Sequence, residues 1–158
     1  MRKTRLRTRP LGSTAAEINR VGFGAYISFA TQMLASSEGT LLTELGGIDP
    51  EPAARAMTGS AIGSPMLQAR ASLVLDLPEQ AWFDVRLMHN DIRLALEAAD
   101  VPAASAADSV LRHAEEMGYG HRDVAGLFQV SARTAAETAR AAGPGTPVNA
   151  ADAGRKAA

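Results

Sequence analysis

The segment from Phe83 to Asp100 constrains the fold of this chain most strongly, because its apolar and charged side chains repeat with the period of an α-helix. On a helical wheel its aliphatic residues form one continuous arc, and its basic residues lie on the other side. The rest of the chain favours the same class, since alanine accounts for 32 of the 158 residues and aromatic residues for only 4%. The one candidate strand, Ala71–Leu77, reads equally well as the end of a helix. We therefore predict an all-α fold.

Residues that start and stop helices divide the chain into a helical body and two tails. A long helix is predicted from Phe23 to Leu45, where Gly46 and Gly47 end it. Its many small residues indicate a central helix packed on more than one side. Further helices are predicted to begin near Asp49, Pro65, Phe83, Ala104 and Asp123. We predict a basic, loosely ordered lead-in over residues 1–20, a helical domain over 21–142 and a disordered tail over 143–158.

Composition and charge exclude several classes of function. The chain has no cysteine, and its three histidines match no common zinc spacing, so we predict no metal site. Five of the 16 basic residues lie in the first nine positions. The rest of the chain therefore carries a net negative charge, which does not favour binding to the negatively charged backbone of nucleic acid. No apolar run of about 18 residues is present to span a membrane. We predict a cytoplasmic protein with no nucleic-acid or membrane partner.

Four polar residues are candidates for a site on the residues alone. Asp91 falls inside the apolar arc of the predicted 83–100 helix, away from the helix N-terminus, and we expect it to be buried and hydrogen-bonded. It is either a site residue or a structural acid that caps a neighbouring helix or pairs with an arginine. His89 lies at the edge of the polar face of the same 83–100 helix and is predicted to be exposed. His113 is predicted on the flank of the next helix and His121 in a polar loop, each with an exposed or structural role favoured over a ligand-binding one.

Three motifs, in this order, resemble a known family. They are SSEGTLLTELGGIDPEPAARAM (Ser36–Met57), FDVRLMHNDIRLALEAADVP (Phe83–Pro102) and GYGHRDVAGLF (Gly118–Phe128). Together they are similar to the C-terminal helical domain of the β-hydroxyacid dehydrogenases, in particular the 3-hydroxyisobutyrate dehydrogenase-like NAD(P)-dependent oxidoreductases. The resemblance implies a compact helical domain like the C-terminal domain of 6-phosphogluconate dehydrogenase, with no Rossmann domain in this chain.

The resemblance also implies site residues. In this family a lysine on the first long helix is the acid/base, and a Lys-Asp pair on a later helix lies near the cofactor. That pair falls on Asn90 and Asp91, so both are predicted cofactor-binding residues, with asparagine in place of lysine. The acid/base position falls close to Gly22, and the chain has no lysine between residues 4 and 155. No catalytic residue is therefore predicted, and Tyr26 is the predicted substrate-binding residue.

From this resemblance we expect the substrate-site and dimerisation domain of an oxidoreductase, in a truncated or stand-alone form without catalytic activity of its own. NAD or NADP would bind only where a separate Rossmann domain is supplied. The expected partners are a second copy of the chain and a Rossmann-domain partner chain. The alternative is a non-catalytic helical module that dimerises or binds a small acid or another protein.

Overall fold

A computed structural model describes residues 8–10 and 17–141 of the chain. Two short strands, β1 (Thr8–Pro10) and β2 (Glu17–Asn19), pair antiparallel with Thr8 opposite Asn19. Six α-helices follow: α1 Arg20–Leu45, α2 Pro50–Gly59, α3 Pro65–Leu75, α4 Val85–Ala98, α5 Pro102–Glu116 and α6 Leu127–Ala141. A 3-10 helix, Val124–Gly126, leads into α6. The predicted all-α fold is confirmed; the predicted tail lies outside the described residues, as does most of the lead-in.

The helix ends follow local capping chemistry. Asp49, Ser64 and Asp84 each accept a hydrogen bond from a backbone N–H in the first turn of α2, α3 and α4, respectively. At the end of α1, Gly47 adopts a φ of 78°, the left-handed conformation that glycine tolerates best, and the N–H of Ile48 donates to the Thr43 carbonyl at 3.0 Å. The helix therefore stops where the glycine pair predicts, although it begins at Arg20, three residues before the predicted start.

The long helix α1 is the centre of the domain, because it packs against each of the other five α-helices. The core beside it combines a few large side chains with alanines, which let helix backbones approach closely. Its fully buried large hydrophobic members are Met33, Val85, Met88, Ile92, Leu111, Val124, Leu127 and Val130. None of the helices in the described part of the chain combines the length and hydrophobicity that a membrane crossing needs.

Helix boundaries differ from the prediction mainly at the ends of short elements. The segment predicted to be one helix from Asp123 begins with the 3-10 turn, and α6 starts only at Leu127. The ambiguous segment Ala71–Leu77 is helical through Leu75, and Asp76 ends α3. Its apolar run is explained by burial of Val74 and partial burial of the residues around it.

Candidate functional site

The start of α4 is fixed by the loop that precedes α6. The N–H of Val85 donates to the Arg122 carbonyl at 3.0 Å, and the N–H of Val124 donates to the Phe83 carbonyl at 3.0 Å. Asp84 lies between these bonds and caps α4 by accepting from the Leu87 N–H at 2.7 Å. The two chain segments, far apart in sequence, therefore hold the helix that carries Asn90 and Asp91 at a defined entry angle.

Asp123 is the most completely buried acid among the described residues, and it accepts four hydrogen bonds. Its Oδ1 accepts from Arg70 Nη1 at 2.8 Å and from the Ala125 N–H at 2.9 Å. Its Oδ2 accepts from the backbone N–H groups of Trp82 at 2.9 Å and Phe83 at 3.2 Å. A buried carboxylate needs this degree of pairing to be tolerated. Asp123 therefore joins α3, the entry of α4 and the 3-10 helix at one point.

An aromatic cluster extends from this ion pair to the predicted substrate residue. The guanidinium carbon of Arg70 lies 5.0 Å from the centre of the Phe29 ring. Phe29 contacts Phe83 at a ring-centre distance of 5.8 Å, and Phe83 stacks on Tyr26 at 6.5 Å with the two ring planes 10° apart. Tyr26 is half-buried, and its hydroxyl forms no hydrogen bond within the described residues. The ring is thus held by stacking, while its polar end is available to a ligand.

Asp91 is half-buried rather than fully buried. Burial raises the pKa of its carboxyl, and a hydrogen bond from the Asn90 side chain lowers the same pKa by less. No lysine, arginine or histidine in the described part of the chain forms an ion pair with it. Because no cation compensates for the lost hydration, the charged form of the Asp91 carboxyl is destabilised relative to its neutral form.

Asn90 and Tyr26 lie on the two helices that pack beside each other, α4 and α1. The side chain of Asn90 is exposed, next to the half-buried Asp91. Tyr26 stacks on Phe83, two residues before α4 begins, and Asp91 lies six residues beyond the first residue of that helix. The structure therefore places the three predicted residues on neighbouring elements, and no hydrogen bond within the described residues joins Tyr26 to Asn90 or Asp91.

An apolar cleft of about 270 Å³ lies between the first turns of α1 and the last turns of α4. Its wall on α4 includes Ala95 and Ala98, one and two turns beyond Asp91 on the same helix face. Its wall on α1 includes Phe23, Gly24 and Ile27. Asp91 thus lies on the face of α4 that forms one wall of this cleft, one turn before the cleft begins. The two helices that form the cleft carry all the predicted site residues.

The prediction that His89 is exposed is wrong. Its side chain is buried, with Nε2 3.1 Å from Asp108 Oδ1 and Nδ1 3.1 Å from Glu115 Oε1, both on α5. The helical wheel placed it at the edge of the polar face, and α5 covers that edge in the folded domain. Both ring nitrogens thus lie within hydrogen-bond distance of carboxylates on α5, so His89 forms a polar clamp between α4 and α5.

The other two histidines follow their predictions. His113 is half-buried on the flank of α5, near the Thr134 hydroxyl at 3.3 Å, and His121 is exposed, 3.9 Å from an Asp84 carboxylate oxygen. No cluster of three or more metal-ligating side chains occurs within residues 8–10 and 17–141.

Comparisons with known proteins identify the family. The family model described as NAD-binding of NADP-dependent 3-hydroxyisobutyrate dehydrogenase matches residues 26–131, about two thirds of the chain. The chain belongs to this family. It is 25% identical over 130 residues to glyoxylate/succinic semialdehyde reductase 2, chloroplastic, from Arabidopsis thaliana, covering 75% of this chain. Its fold matches a crystal structure of 3-hydroxyisobutyrate dehydrogenase from Salmonella typhimurium, with a TM-score of 0.65 and 23% identity over 70% of this chain.

This 3-hydroxyisobutyrate dehydrogenase-like chain spans 36% of the length of the plant reductase and 40% of the Salmonella enzyme. The family description names NAD binding, and the described residues fit only part of a dinucleotide. The described residues contain no glycine-rich turn between a parallel strand and a helix, the usual cradle for the pyrophosphate. They offer an exposed Asn90 amide beside Asp91, which fits contact with part of a dinucleotide and not binding of the whole molecule.

Sequence reasoning missed the Arg70–Asp123 pair and treated Asp123 only as a helix cap. One signal was present: Arg70 is the only charged residue in α3, a helix of otherwise apolar or neutral side chains. That pattern alone does not distinguish a buried arginine from an exposed one, and it does not name the acidic partner. Its position, 53 residues further along the chain, could not be inferred from that pattern.

Proposed function

We propose that this chain supplies the helical, substrate-side half of a NAD(P)-dependent oxidoreductase of the 3-hydroxyisobutyrate dehydrogenase-like type, and that it has no dehydrogenase activity by itself. The observation that carries the proposal is the family match over residues 26–131 in a chain with no lysine between residues 4 and 155. A general acid or base is typically worth about 10²–10⁴-fold in rate, so its loss would leave binding without efficient chemistry.

Each site residue then has a limited role. A bound NAD(P) would supply hydride transfer, which no residue of this chain can supply. The exposed amide of Asn90 can donate and accept hydrogen bonds at the edge of that group, and the carboxylate of Asp91 accepts from Asn90 and orients it. The hydroxyl of Tyr26, held by its stacked ring, can hydrogen-bond a carboxylate or carbonyl of a small substrate. The apolar lining of the 270 Å³ cleft would suit only the aliphatic part of such a substrate.

The test combines the full chain with a separately expressed Rossmann domain from a family member. The chain alone should show neither turnover of 3-hydroxyisobutyrate nor a change in nicotinamide fluorescence with NADH or NADPH. With the Rossmann domain added, NADPH or NADH affinity should increase over that of the Rossmann domain alone. A matched variant, Asn90→Lys, restores the family's lysine beside Asp91 and should strengthen cofactor binding further, whereas Arg93→Lys on the exposed face should not.

Two results would count against the proposal. Cofactor-dependent turnover by the chain alone would contradict the assignment of an inactive half. Unchanged cofactor affinity in the presence of the Rossmann domain, for both the natural chain and Asn90→Lys, would contradict the assignment to an oxidoreductase site.

We also propose that the chain forms a homodimer through the outer face of α1. One stripe on this helix follows alternating steps of four and three residues, the spacing of a helix–helix seam, and its members are exposed or half-buried. The stripe is Gly24, Ser28, Thr31, Ala35, Glu38, Leu42 and Leu45. Small residues occupy its first half, and leucines that are 70% and 68% exposed occupy its end.

An antiparallel, twofold pairing centred on Ala35 matches this size gradient. It places Leu42 of one copy on Ser28 of the other, and Leu45 on Gly24, so that large side chains cover small ones. Twofold dimers are the commonest closed assembly, and this pairing would remove the two exposed leucines from water. The same stripe favours the second candidate function, a dimerisation module without catalysis, if cofactor binding fails with an added Rossmann domain.

Light scattering on the full chain tests the dimer. We expect a dimer mass at tens of micromolar and a monomer mass for Leu42→Glu. The control Leu87→Glu changes a leucine that is 49% exposed on α4, away from the stripe, and should leave the dimer intact. A monomer for the natural chain, or equal effects of the two variants, would refute the proposed interface.

A further inference from the structure

Arg70 connects two parts of the site region that differ in chemistry. Its Nη1 donates to the buried Asp123 carboxylate at 2.8 Å, and the guanidinium carbon lies 5.0 Å from the centre of the Phe29 ring. The Arg70 side chain is 13% exposed and that of Asp123 is fully buried, so the pair and the cation–π contact are both largely shielded from water. The guanidinium is therefore fixed by the acid on one side and supports the Phe29 ring on the other.

The contacts that start at this pair form a closed ring. Arg70 contacts Phe29, Phe29 contacts Phe83 at 5.8 Å, and the backbone N–H of Phe83 donates back to Asp123 at 3.2 Å. Asp123 thus acts on Phe83 by two routes, directly through the backbone and indirectly through Arg70 and Phe29. A closed set of contacts restricts each member more than an open chain does, because no member can move without breaking two contacts.

Tyr26 is attached to this ring by stacking on Phe83 at 6.5 Å. The backbone of α1 fixes the position of the Tyr26 Cα atom. It does not fix the direction of the phenol ring. Its hydroxyl has no hydrogen-bond partner within the described residues, so no polar contact orients it. The stack on Phe83 is the ring–ring contact within the described residues that can set this direction.

We propose that Arg70 is a positioning residue for Tyr26: the Arg70–Asp123 ion pair holds Phe29 and Phe83 in the orientation that aims the Tyr26 hydroxyl outward as a ligand contact. This inference rests on the proposed function, because the direction of Tyr26 has a consequence only if Tyr26 meets a substrate. Arg70 acts through two aromatic side chains and is not itself a catalytic residue.

The test reads the Tyr26 ring directly, by NMR of the full chain with labelled aromatic residues. In Arg70→Met the Tyr26 ring signals should move toward their unfolded-chain positions, because the ring current of Phe83 no longer acts on a fixed geometry. Phe23 lies on the same helix outside the cluster, and its signals should stay in place. Arg70→Lys keeps the charge, so its Tyr26 ring signals should lie between those of the natural chain and those of Arg70→Met. Arg93→Met, on the exposed face of α4, should move the signals of neither Tyr26 nor Phe23.

Unmoved Tyr26 signals in a folded Arg70→Met protein would overturn the proposal. Equal movement of the Tyr26 and Phe23 signals would also overturn it, because that result indicates a general structural change. If Arg70→Met does not fold, Phe29→Leu removes the intermediate ring and leaves the ion pair in place. It must then move the Tyr26 signals, and unmoved signals would overturn the proposal as well. None of these readouts needs a cofactor, so a failed nucleotide titration would refute the proposed function separately.

Discussion

Replacing Asp123 with alanine should produce the largest loss of stability of any single acidic residue in the described domain. Asp123 accepts four hydrogen bonds, from Arg70, Ala125, Trp82 and Phe83, and its side chain is fully buried. Removing one partner of a buried ion pair costs roughly 3–5 kcal/mol, because the remaining charge is left without compensation. The freed backbone N–H groups cost more where water cannot reach them. We expect the free energy of unfolding to fall by about 4 kcal/mol.

The measurement is urea unfolding of the full chain at 25 °C, followed by circular dichroism at 222 nm. Asp49→Ala is the matched control, since Asp49 is exposed and accepts a single bond from the Glu51 N–H at 3.0 Å. Loss of an exposed cap should cost about 1 kcal/mol. Asp123→Asn retains one acceptor oxygen and should fall between the two.

A difference of less than about 1 kcal/mol between Asp123→Ala and Asp49→Ala, at equal denaturant dependence, would refute this reasoning. It would show that the Arg70–Asp123 pair is exchanged for water at little cost. Small domains are stable by only about 5–15 kcal/mol, so the predicted loss remains measurable in a chain that is still folded at low urea.

Three further outcomes are expected from the same unfolding assay. Asp91→Asn should be more stable than the natural chain at pH 7, because it removes a charge that is partly withheld from water. Burial raises the folded-state pKa of Asp91, so its charged form opposes folding. The gain in stability should therefore disappear as the pH falls below that pKa. The control Asp100→Asn changes an exposed acid and should show no such gain. His89→Leu should lose about 2 kcal/mol by leaving two carboxylates unpaired, and an unchanged midpoint would contradict the clamp between α4 and α5. Gly63→Ala should be strongly destabilising, since its Cβ would lie 1.9 Å from a carbonyl oxygen, whereas Gly59→Ala meets nothing within 4 Å and should be nearly neutral.

The fold class and most helix limits could be predicted because they depend on interactions within a few residues. Asp84 caps α4 through a bond to Leu87, three residues on, and the glycine pair after Leu45 stops α1 through bonds to the preceding turn. The period of the apolar positions in α4 is likewise a local property. The family was also accessible, since its motifs are runs of neighbouring residues that the match over residues 26–131 includes or overlaps.

The environment of each polar residue was decided by the tertiary structure alone. His89 is buried because Asp108 and Glu115, 19 and 26 residues away, lie on a helix that covers one edge of α4. Asp123 is paired because Arg70 reaches it across 53 residues. Asp91, placed by the wheel in the apolar arc, is only half-buried, since its surroundings depend on how α1 crosses α4. The sequence by itself determined which segments are helical and which side chains each helix presents. Their burial and charge partners follow from the crossing of those helices, because desolvation and ion pairing act through space between residues that no local pattern connects.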